Sequence, residues 1–106
     1  MRLKLRRDDR SYSLRGVARQ VGIQPSYLSQ IERGRVPPPS EHTIYLLAAV
    51  LGLDADGLLA LAGRVSSELQ AMIRRRPGLM GSLVRELDRL GERRLLAVLE
   101  EVRTLP

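Results

Sequence analysis

The chain has 106 residues, with 18 basic and 12 acidic side chains and a net charge of +6. It has no cysteine, tryptophan or phenylalanine and only one histidine, which excludes disulfides, thiolate metal sites and histidine clusters and leaves an aliphatic core suited to helices. No stretch resembles a signal peptide or is long and apolar enough to span a membrane, so we expect a soluble, cytoplasmic protein.

The first 63 residues predict five short helices. Residues 3–10 favour a short first helix, because an isolated strand there would have no partner. Each of the next four helices begins at a capping residue or a proline, carries apolar residues at helical spacing and stops at a glycine. These four helices run from Ser13 to Gly22, from Pro25 to Gly34, from Ser40 to Gly52 and from Asp54 to Gly63.

Residues 64–106 predict three further helices. A weak capping box at Ser67 begins a helix that Pro77 ends, with an exposed break over residues 77–82. The last two helices are separated at Gly91 and carry leucine-rich faces, which need either the first domain or a second copy to cover them. A second copy needs no additional core. We therefore expect dimerisation through Leu83, Leu87, Leu90, Leu95, Leu96, Leu99 and Val102.

The excess positive charge lies entirely in the first third of the chain. Residues 1–36 hold nine basic and three acidic side chains, whereas the remaining seventy residues hold nine of each. A polyanion would be attracted to the basic third, with release of its counterions. The alternative is a basic surface that serves only solubility. Membrane attraction is disfavoured because no basic amphipathic helix with an aromatic apolar face is present.

The second and third predicted helices are joined by a very short connection at Gly22. Ala18 is small where the two helices would cross, and Gly22 can accept the positive φ of a sharp turn. Leu28 and Ile31 would anchor the third helix, while its other side is polar and could enter a DNA major groove. The pattern predicts a helix-turn-helix motif.

The stretch SLRGVARQVGIQPSYLSQIERG, followed by PPPSEHTIYLLAAVLGLDADGLLALAGR, resembles the DNA-binding domain of the phage Cro and repressor type, also called the XRE family of bacterial regulators. The resemblance covers roughly residues 3–63. It implies an all-α, five-helix, lambda-repressor-like DNA-binding domain at residues 1–63, in which the third helix is the recognition helix. Residues 64–106 would then form a helical extension for dimerisation or for a partner.

Carried onto this sequence, the resemblance implies two sets of DNA contacts. Bases would be contacted by Gln24, Pro25, Ser26, Tyr27, Ser29 and Gln30. Phosphates would be contacted by Ser13, Arg15, Arg33 and Arg35. Gln30 is the best candidate for base recognition, because a glutamine amide can pair with adenine. Tyr27 has packing as an equal alternative.

Three positions qualify the resemblance. Many members of the family have glutamine where this chain has Leu14, which removes a phosphate contact or transfers it to Arg15. Pro25 stands where several relatives have a base-contacting glutamine, and Arg6 stands where the family usually buries an aliphatic residue. Apart from these three departures, Glu32 lacks a carboxylate partner and is expected to hold the neighbouring arginines.

The resemblance implies a sequence-specific transcriptional regulator. We expect a repressor that binds a palindromic operator in double-stranded DNA as a homodimer, without metal or cofactor. The alternative is an antitoxin or adaptor whose C-terminal helices bind a partner protein. Similar regulators are inactivated by a partner metalloprotease that cleaves the tail, and residues 77–82 are the expected cleavage site. We expect no enzymatic activity, because no nucleophile and base pair, metal cluster or phosphate loop can be assembled.

Overall fold

The computed structural model describes residues 3–9 and 12–106, and within these ranges it contains helices and no strand. The all-α fold predicted from the sequence is confirmed. The chain divides into two compact units: the N-terminal unit, Met1–Ser66, and the C-terminal unit, Ser67–Pro106. The helices are α1 (Leu3–Asp9), α2 (Leu14–Val21), α3 (Pro25–Glu32), α4 (Glu41–Leu51), α5 (Ala55–Leu61), α6 (Ser67–Arg75), α7 (Pro77–Asp88) and α8 (Glu92–Thr104).

The N-terminal unit is built around one aliphatic core, to which all five of its helices contribute. Helix α4 packs against α1, α2 and α5, and α2 also packs against α3. Full burial of one such aliphatic side chain is worth roughly 1.5–3 kcal/mol. The buried residues are Leu3, Val17, Ala18, Val21, Leu28, Ile31, Ile44, Leu47, Ala48, Leu51, Leu58 and Leu59.

The predicted capping residues are confirmed at the starts of α2, α4 and α5. The side chains of Ser13, Ser40 and Asp54 each accept a hydrogen bond from the backbone N–H three residues further on, at 3.0, 3.2 and 3.0 Å respectively. Each cap of this kind contributes about 1 kcal/mol. The local sequence therefore determines where these helices begin.

Arg6 explains how α1 joins the core despite carrying a charge at a position that the family usually fills with an aliphatic residue. Its Nε donates to the carbonyl oxygen of Leu51 at 2.8 Å, and its Nη2 donates to that of Gly52 at 3.2 Å. A cation at a helix C-terminus is favourable, because the last carbonyls have no partner within the helix. Arg6 therefore caps α4, while the neighbouring Leu3 supplies the apolar contact.

The C-terminal unit has a different construction, since none of the residues in α6, α7 and α8 is buried. The predicted break over residues 77–82 is wrong. Pro77 occupies the first turn of α7, where its missing N–H costs no hydrogen bond, and only Arg76 lies outside the two helices, with φ −143° and ψ 66°. Proline disfavours helical geometry at the residue before it, so it separates α6 from α7 without creating a loop.

The described helices are short. The longest of them, α8, has 13 residues, whereas a membrane-spanning helix needs about 20. No helix in the described part of the chain is both long and apolar enough to cross a bilayer. The same residues also bring together no group of three or more His, Asp or Glu side chains suited to a metal ion.

Candidate nucleic-acid interface

The connection between α2 and α3 has the geometry that the sequence predicted. The carbonyl oxygen of Ala18 accepts hydrogen bonds from the backbone N–H groups of Gly22 at 2.8 Å and Ile23 at 3.0 Å. Gly22 has φ +84°, a left-handed conformation that is costly for residues with a Cβ atom. Ala18 is fully buried, as expected where two helices cross closely. The two helices form a helix-turn-helix.

Helix α3 has one buried side and one accessible side. Leu28 and Ile31 are buried in the core, which leaves the rest of the helix surface available. Among the predicted base-contacting residues, Gln24, Ser26 and Tyr27 are exposed, whereas Pro25, Ser29 and Gln30 are half-buried. Gln24 occupies the N-cap position without a capping hydrogen bond from its side chain, so its amide remains available to a ligand. Their contacts with bases remain a prediction.

The lysine and arginine residues that the structure describes in the N-terminal unit fall into two groups. Arg6, Arg7 and Arg64 donate hydrogen bonds within the protein. Five exposed cations make no ion pair or side-chain hydrogen bond with any residue that the structure describes: Lys4, Arg15, Arg19, Arg33 and Arg35. Three of these, Arg15, Arg33 and Arg35, are predicted phosphate contacts, whereas Lys4 and Arg19 were not among the predicted site residues. The spacing of Arg19, one turn after Arg15 on α2, was an available signal.

Ser13 keeps part of its hydrogen-bonding capacity. Its Oγ accepts a bond from the backbone N–H of Gly16, which caps α2. A hydroxyl has one donor in addition to its acceptor lone pairs, so the O–H of Ser13 can still be donated to a phosphate oxygen. Capping and the predicted phosphate contact are therefore compatible at Ser13.

Glu32 does not hold the neighbouring arginines, and that expectation was wrong. Its Oε1 accepts hydrogen bonds from Arg7 Nε at 3.1 Å and Nη2 at 2.9 Å, and Arg7 Nη1 donates to the carbonyl oxygen of Tyr12 at 3.1 Å. The Arg7 and Glu32 side chains are only 13% and 5% exposed. Because α1 supplies Arg7, the sequence neighbours of Glu32 gave no sign of it. Through these bonds Arg7 holds the end of α3 against α1 and against Tyr12, which precedes the N-cap of α2.

The loop after α3 is restrained on both sides of its prolines. The backbone N–H of Arg35 donates to the carbonyl oxygen of Gln30 at 3.0 Å. At the other end, Arg64 Nη1 donates to the carbonyl oxygen of Pro39 at 2.8 Å, and Pro39 is buried. Proline fixes φ in the residues between, so Arg35 lies on a restrained loop directly after α3.

The C-terminal unit places its apolar side chains on the surface. The predicted dimerisation residues Leu83, Leu95, Leu96, Leu99 and Val102 are exposed, whereas Leu87 and Leu90 are half-buried. Leu87 lines a groove of about 220 Å³ together with Val84, Asp88 and Leu95. Leu79 and Val84 are also exposed and were not among the predicted residues. Dimerisation through the seven predicted residues stays a prediction.

A helix-turn-helix whose outer helix is polar, beside cations that pair with no residue in the described part of the chain, is typical of DNA-binding domains, and comparison with known proteins agrees. The profile of the family described as "Helix-turn-helix domain" matches residues 1–61. The HTH-type transcriptional regulator SinR of Bacillus subtilis (strain 168) is 33% identical over 79 residues, which cover 69% of this chain and 71% of that protein. SinR of Bacillus licheniformis gives the same identity and coverage.

A solved structure is also similar along most of the chain. A chain in the SinR protein/SinI protein complex superposes with a TM-score of 0.54 and 28% sequence identity, covering 96% of this chain and 91% of that one. The chain therefore belongs to the XRE-type helix-turn-helix transcriptional regulators.

Proposed function

We propose that this regulator is a repressor that binds a palindromic operator as a homodimer, with no catalytic activity and no metal or cofactor. The proposal is carried by one observation: a helix-turn-helix is followed by a unit in which no helix buries any residue. The first feature supplies DNA binding. The second supplies an apolar surface that a second copy can cover.

The surface of α7 and α8 supports the homodimer. Leu83, Leu96 and Leu99 are 47%, 57% and 42% exposed, which makes them accessible to a partner. Removing apolar surface from water contributes roughly 25 cal/mol per Å², so covering these side chains is favourable. In a twofold dimer both copies use the same surface. Two recognition helices can then contact half-sites about 34 Å apart, and occupancy of a promoter is sufficient for repression.

Selection of bound duplexes from a random pool tests the DNA part of the proposal. We expect enrichment of a palindrome with half-sites one helical turn apart. Gln30→Ala should weaken binding to the selected site by about 1–3 kcal/mol and relax the preference at one position in each half-site. Gln70→Ala is the matched control, because Gln70 is exposed on α6. Binding without any preference over random DNA would contradict the proposal.

Paired aspartate substitutions test the dimer. Because Leu83 and Leu96 are exposed, Leu83→Asp with Leu96→Asp should leave the N-terminal fold intact while disrupting an apolar interface. We expect a monomer in sedimentation equilibrium and a loss of operator affinity of about 100-fold or more, since half of the contacts to a two-half-site operator are lost. Leu61→Asp is the control, since Leu61 is 59% exposed on α5. A dimer that survives both substitutions rejects this interface.

An antitoxin or adaptor function is the second candidate. The structure similar to this chain is a complex of two proteins, SinR and SinI. By analogy, the C-terminal helices of this chain would bind a partner protein rather than a second copy. The same paired substitutions distinguish the two candidates: a partner-binding surface predicts that dimerisation and DNA affinity survive, whereas a dimer interface predicts that both are lost together.

Control by a partner metalloprotease is a further proposal, which rests on the family resemblance. Proteases bind extended backbone, and residues 77–82 are helical, so a cut there would require unwinding of α7. Residues 64–66 are non-helical and precede the C-terminal unit, and Arg64 and Val65 are exposed, whereas Ser66 is only 3% exposed. Brief digestion with thermolysin, followed by mass spectrometry, should give the first cut at residues 64–66. A first cut within residues 77–82 contradicts this revised position.

A further inference from the structure

A cleft of about 410 Å³ lies in the C-terminal unit, where α6 ends and α7 begins. Its lining residues are Met72, Arg75, Arg76 and Met80. None of them is among the seven predicted dimerisation residues or among the predicted DNA contacts. The operator and the second copy of the chain therefore leave this cleft without a ligand.

Two guanidinium groups give the cleft a positive charge. Arg75 and Arg76 are exposed and make no ion pair or side-chain hydrogen bond with any residue that the structure describes. The preceding Arg74 differs from them, because its Nη2 donates to Gln70 Oε1 at 2.9 Å. No acidic side chain of the described residues lines the cleft. A guanidinium presents a planar fork of N–H donors that matches a carboxylate, so the two unpaired arginines favour a ligand with a carboxylate group.

The other two lining side chains are methionines. Met72 is 36% exposed and Met80 is half-buried. A methionine side chain is unbranched and polarizable, so it adapts to the shape of an apolar ligand. Leu69 lies one turn before Met72 on α6 and is also exposed, which extends the apolar surface beyond the cleft. A ligand that fits this cleft should therefore carry an apolar chain as well as a negative charge.

The size and chemistry of the cleft favour a small molecule over a macromolecule. Small-molecule sites have volumes of about 300–1,000 Å³. A protein helix is about 10–12 Å across and binds along a groove of several turns, whereas this cleft is lined by only four residues around the junction of α6 and α7. A DNA backbone would match the two arginines but would leave the two methionines without an apolar partner.

We propose that the cleft binds a small amphipathic carboxylate. Its head group contacts Arg75 and Arg76, and its alkyl chain lies against Met72 and Met80. The inference goes beyond the proposed function and does not depend on it, because neither DNA binding nor dimerisation enters the argument. Since the cleft is open, we expect a dissociation constant on the order of 1 mM for a ligand with a medium-length chain.

Methionine methyl NMR tests the site, because Met72 and Met80 are two of the three methionines in the chain. The full chain is isotopically labelled at the methionine ε-methyl groups, and Met72→Leu and Met80→Leu assign the signals. Sodium decanoate is the probe. We expect saturable shifts of the Met72 and Met80 signals, with Met1 of the N-terminal unit as the unshifted reference. Signals that do not move with decanoate would overturn the proposal.

Two further probes separate the contribution of the charge from that of the chain. Acetate has the carboxylate without the chain, and decyltrimethylammonium has the chain with the opposite charge. We expect neither probe to shift both methyl signals at concentrations where decanoate does. Equal shifts with acetate would show that the cleft binds any simple anion, and equal shifts with decyltrimethylammonium would show that it is only an apolar surface. Either result contradicts the proposal.

Arg75→Gln and Arg76→Gln test the contact with the head group. Each should weaken decanoate binding by about 10-fold, which corresponds to the lower end of the range for a hydrogen bond to a charged group. Arg93→Gln is the matched control, because it removes the same charge from an exposed position on α8 and should leave binding unchanged. Thermal unfolding followed by circular dichroism checks that each variant is folded.

The variants can reject the proposal even where decanoate binds. Unchanged affinity in both Arg75→Gln and Arg76→Gln would show that the carboxylate is bound elsewhere. Equal weakening in Arg93→Gln would show that the net charge of the protein, rather than these two arginines, attracts the probe.

Discussion

Helices α4 and α8 carry similar apolar stripes but have opposite surroundings. In α4, Ile44, Leu47, Ala48 and Leu51 are at most 2% exposed. In α8, Leu95, Leu96, Leu99 and Val102 are 36–57% exposed. Helical spacing shows that a helix has an apolar face, but it does not show what covers that face. In the N-terminal unit the neighbouring helices cover it, whereas in the C-terminal unit the face remains available for association.

One ion pair from each unit shows the same difference in burial. Arg7 and Glu32 come from different helices and are nearly buried, whereas Glu86 and Arg89 are neighbours on a helix surface and are 70% and 75% exposed. Removing one member of a buried pair leaves an uncompensated charge, while an exposed pair is screened by water and salt. The Arg7–Glu32 pair therefore takes part in the tertiary structure of the N-terminal unit, whereas the Glu86–Arg89 pair lies on the surface of the C-terminal unit.

The largest expected change in the free energy of unfolding comes from removing one member of the buried Arg7–Glu32 ion pair. Glu32→Ala should lower the free energy of unfolding by an amount at the lower end of about 3–5 kcal/mol, because Arg7 loses its buried carboxylate and keeps only the exposed Asp8 carboxylate at 3.4 Å and the Tyr12 carbonyl oxygen. Glu86→Ala, the matched change in the C-terminal unit, should stay within about 0.5 kcal/mol. Urea denaturation followed by circular dichroism measures both. Equal losses in the two variants would show that burial does not distinguish these pairs.

The second comparison is between two glycines that differ in backbone conformation. Replacing each of them by alanine should change the stability of the protein in opposite directions. Gly22 has φ +84°, so Gly22→Ala should destabilise the protein by about 1–2 kcal/mol, although the added Cβ would meet no atom within 4 Å. Gly78 lies in α7, where a Cβ would also meet open space. Gly78→Ala should therefore stabilise the protein by about 0.5 kcal/mol, because alanine favours the helix.

Thermal unfolding at fixed protein concentration measures both glycine substitutions. The two sites are equally uncrowded, so a difference in sign isolates backbone conformation from packing. Changes of the same sign at the two positions would contradict the comparison.

The local features of the fold could be predicted from the sequence because they depend on local chemistry. Capping by Ser13, Ser40 and Asp54 and the turn at Gly22 each follow from one residue and its near neighbours. The prediction of a break over residues 77–82 was wrong, because proline disrupts a helix interior but is well suited to a first turn, which is where Pro77 lies in α7.

The tertiary partners could not be predicted in the same way. The pairing of Glu32 with Arg7, the capping of α4 by Arg6 and the position of Lys4 beside α3 all join residues that are 25 or more positions apart in the chain. Charge counting identified the basic third of the molecule. It could not separate the arginines used inside the fold from the cations that remain available to DNA.

The smallest change in unfolding free energy is expected for a surface hydrogen bond of the N-terminal unit. Because this hydrogen bond is exposed, it should contribute as little to stability as the exposed ion pairs of the C-terminal unit. Tyr45 Oη donates to Glu41 Oε1 at 2.8 Å on the exposed side of α4. This hydrogen bond, aided by partial desolvation, raises the pKa of Tyr45 above its ordinary value of 10.0, since ionisation would place two negative charges together.

The raised pKa sets the sign of a pH dependence. The neutral phenol is favoured in the folded state, so any stabilisation is present below pH 10.0 and is lost as the pH rises through the raised pKa. Titration of tyrosinate absorbance, with Tyr45→Phe subtracted, should give a midpoint above 10.0, and Glu41→Gln should lower it. Because the contact is exposed, we expect little change in unfolding free energy at neutral pH in either variant. A midpoint that does not move in Glu41→Gln would show that the carboxylate does not control this titration.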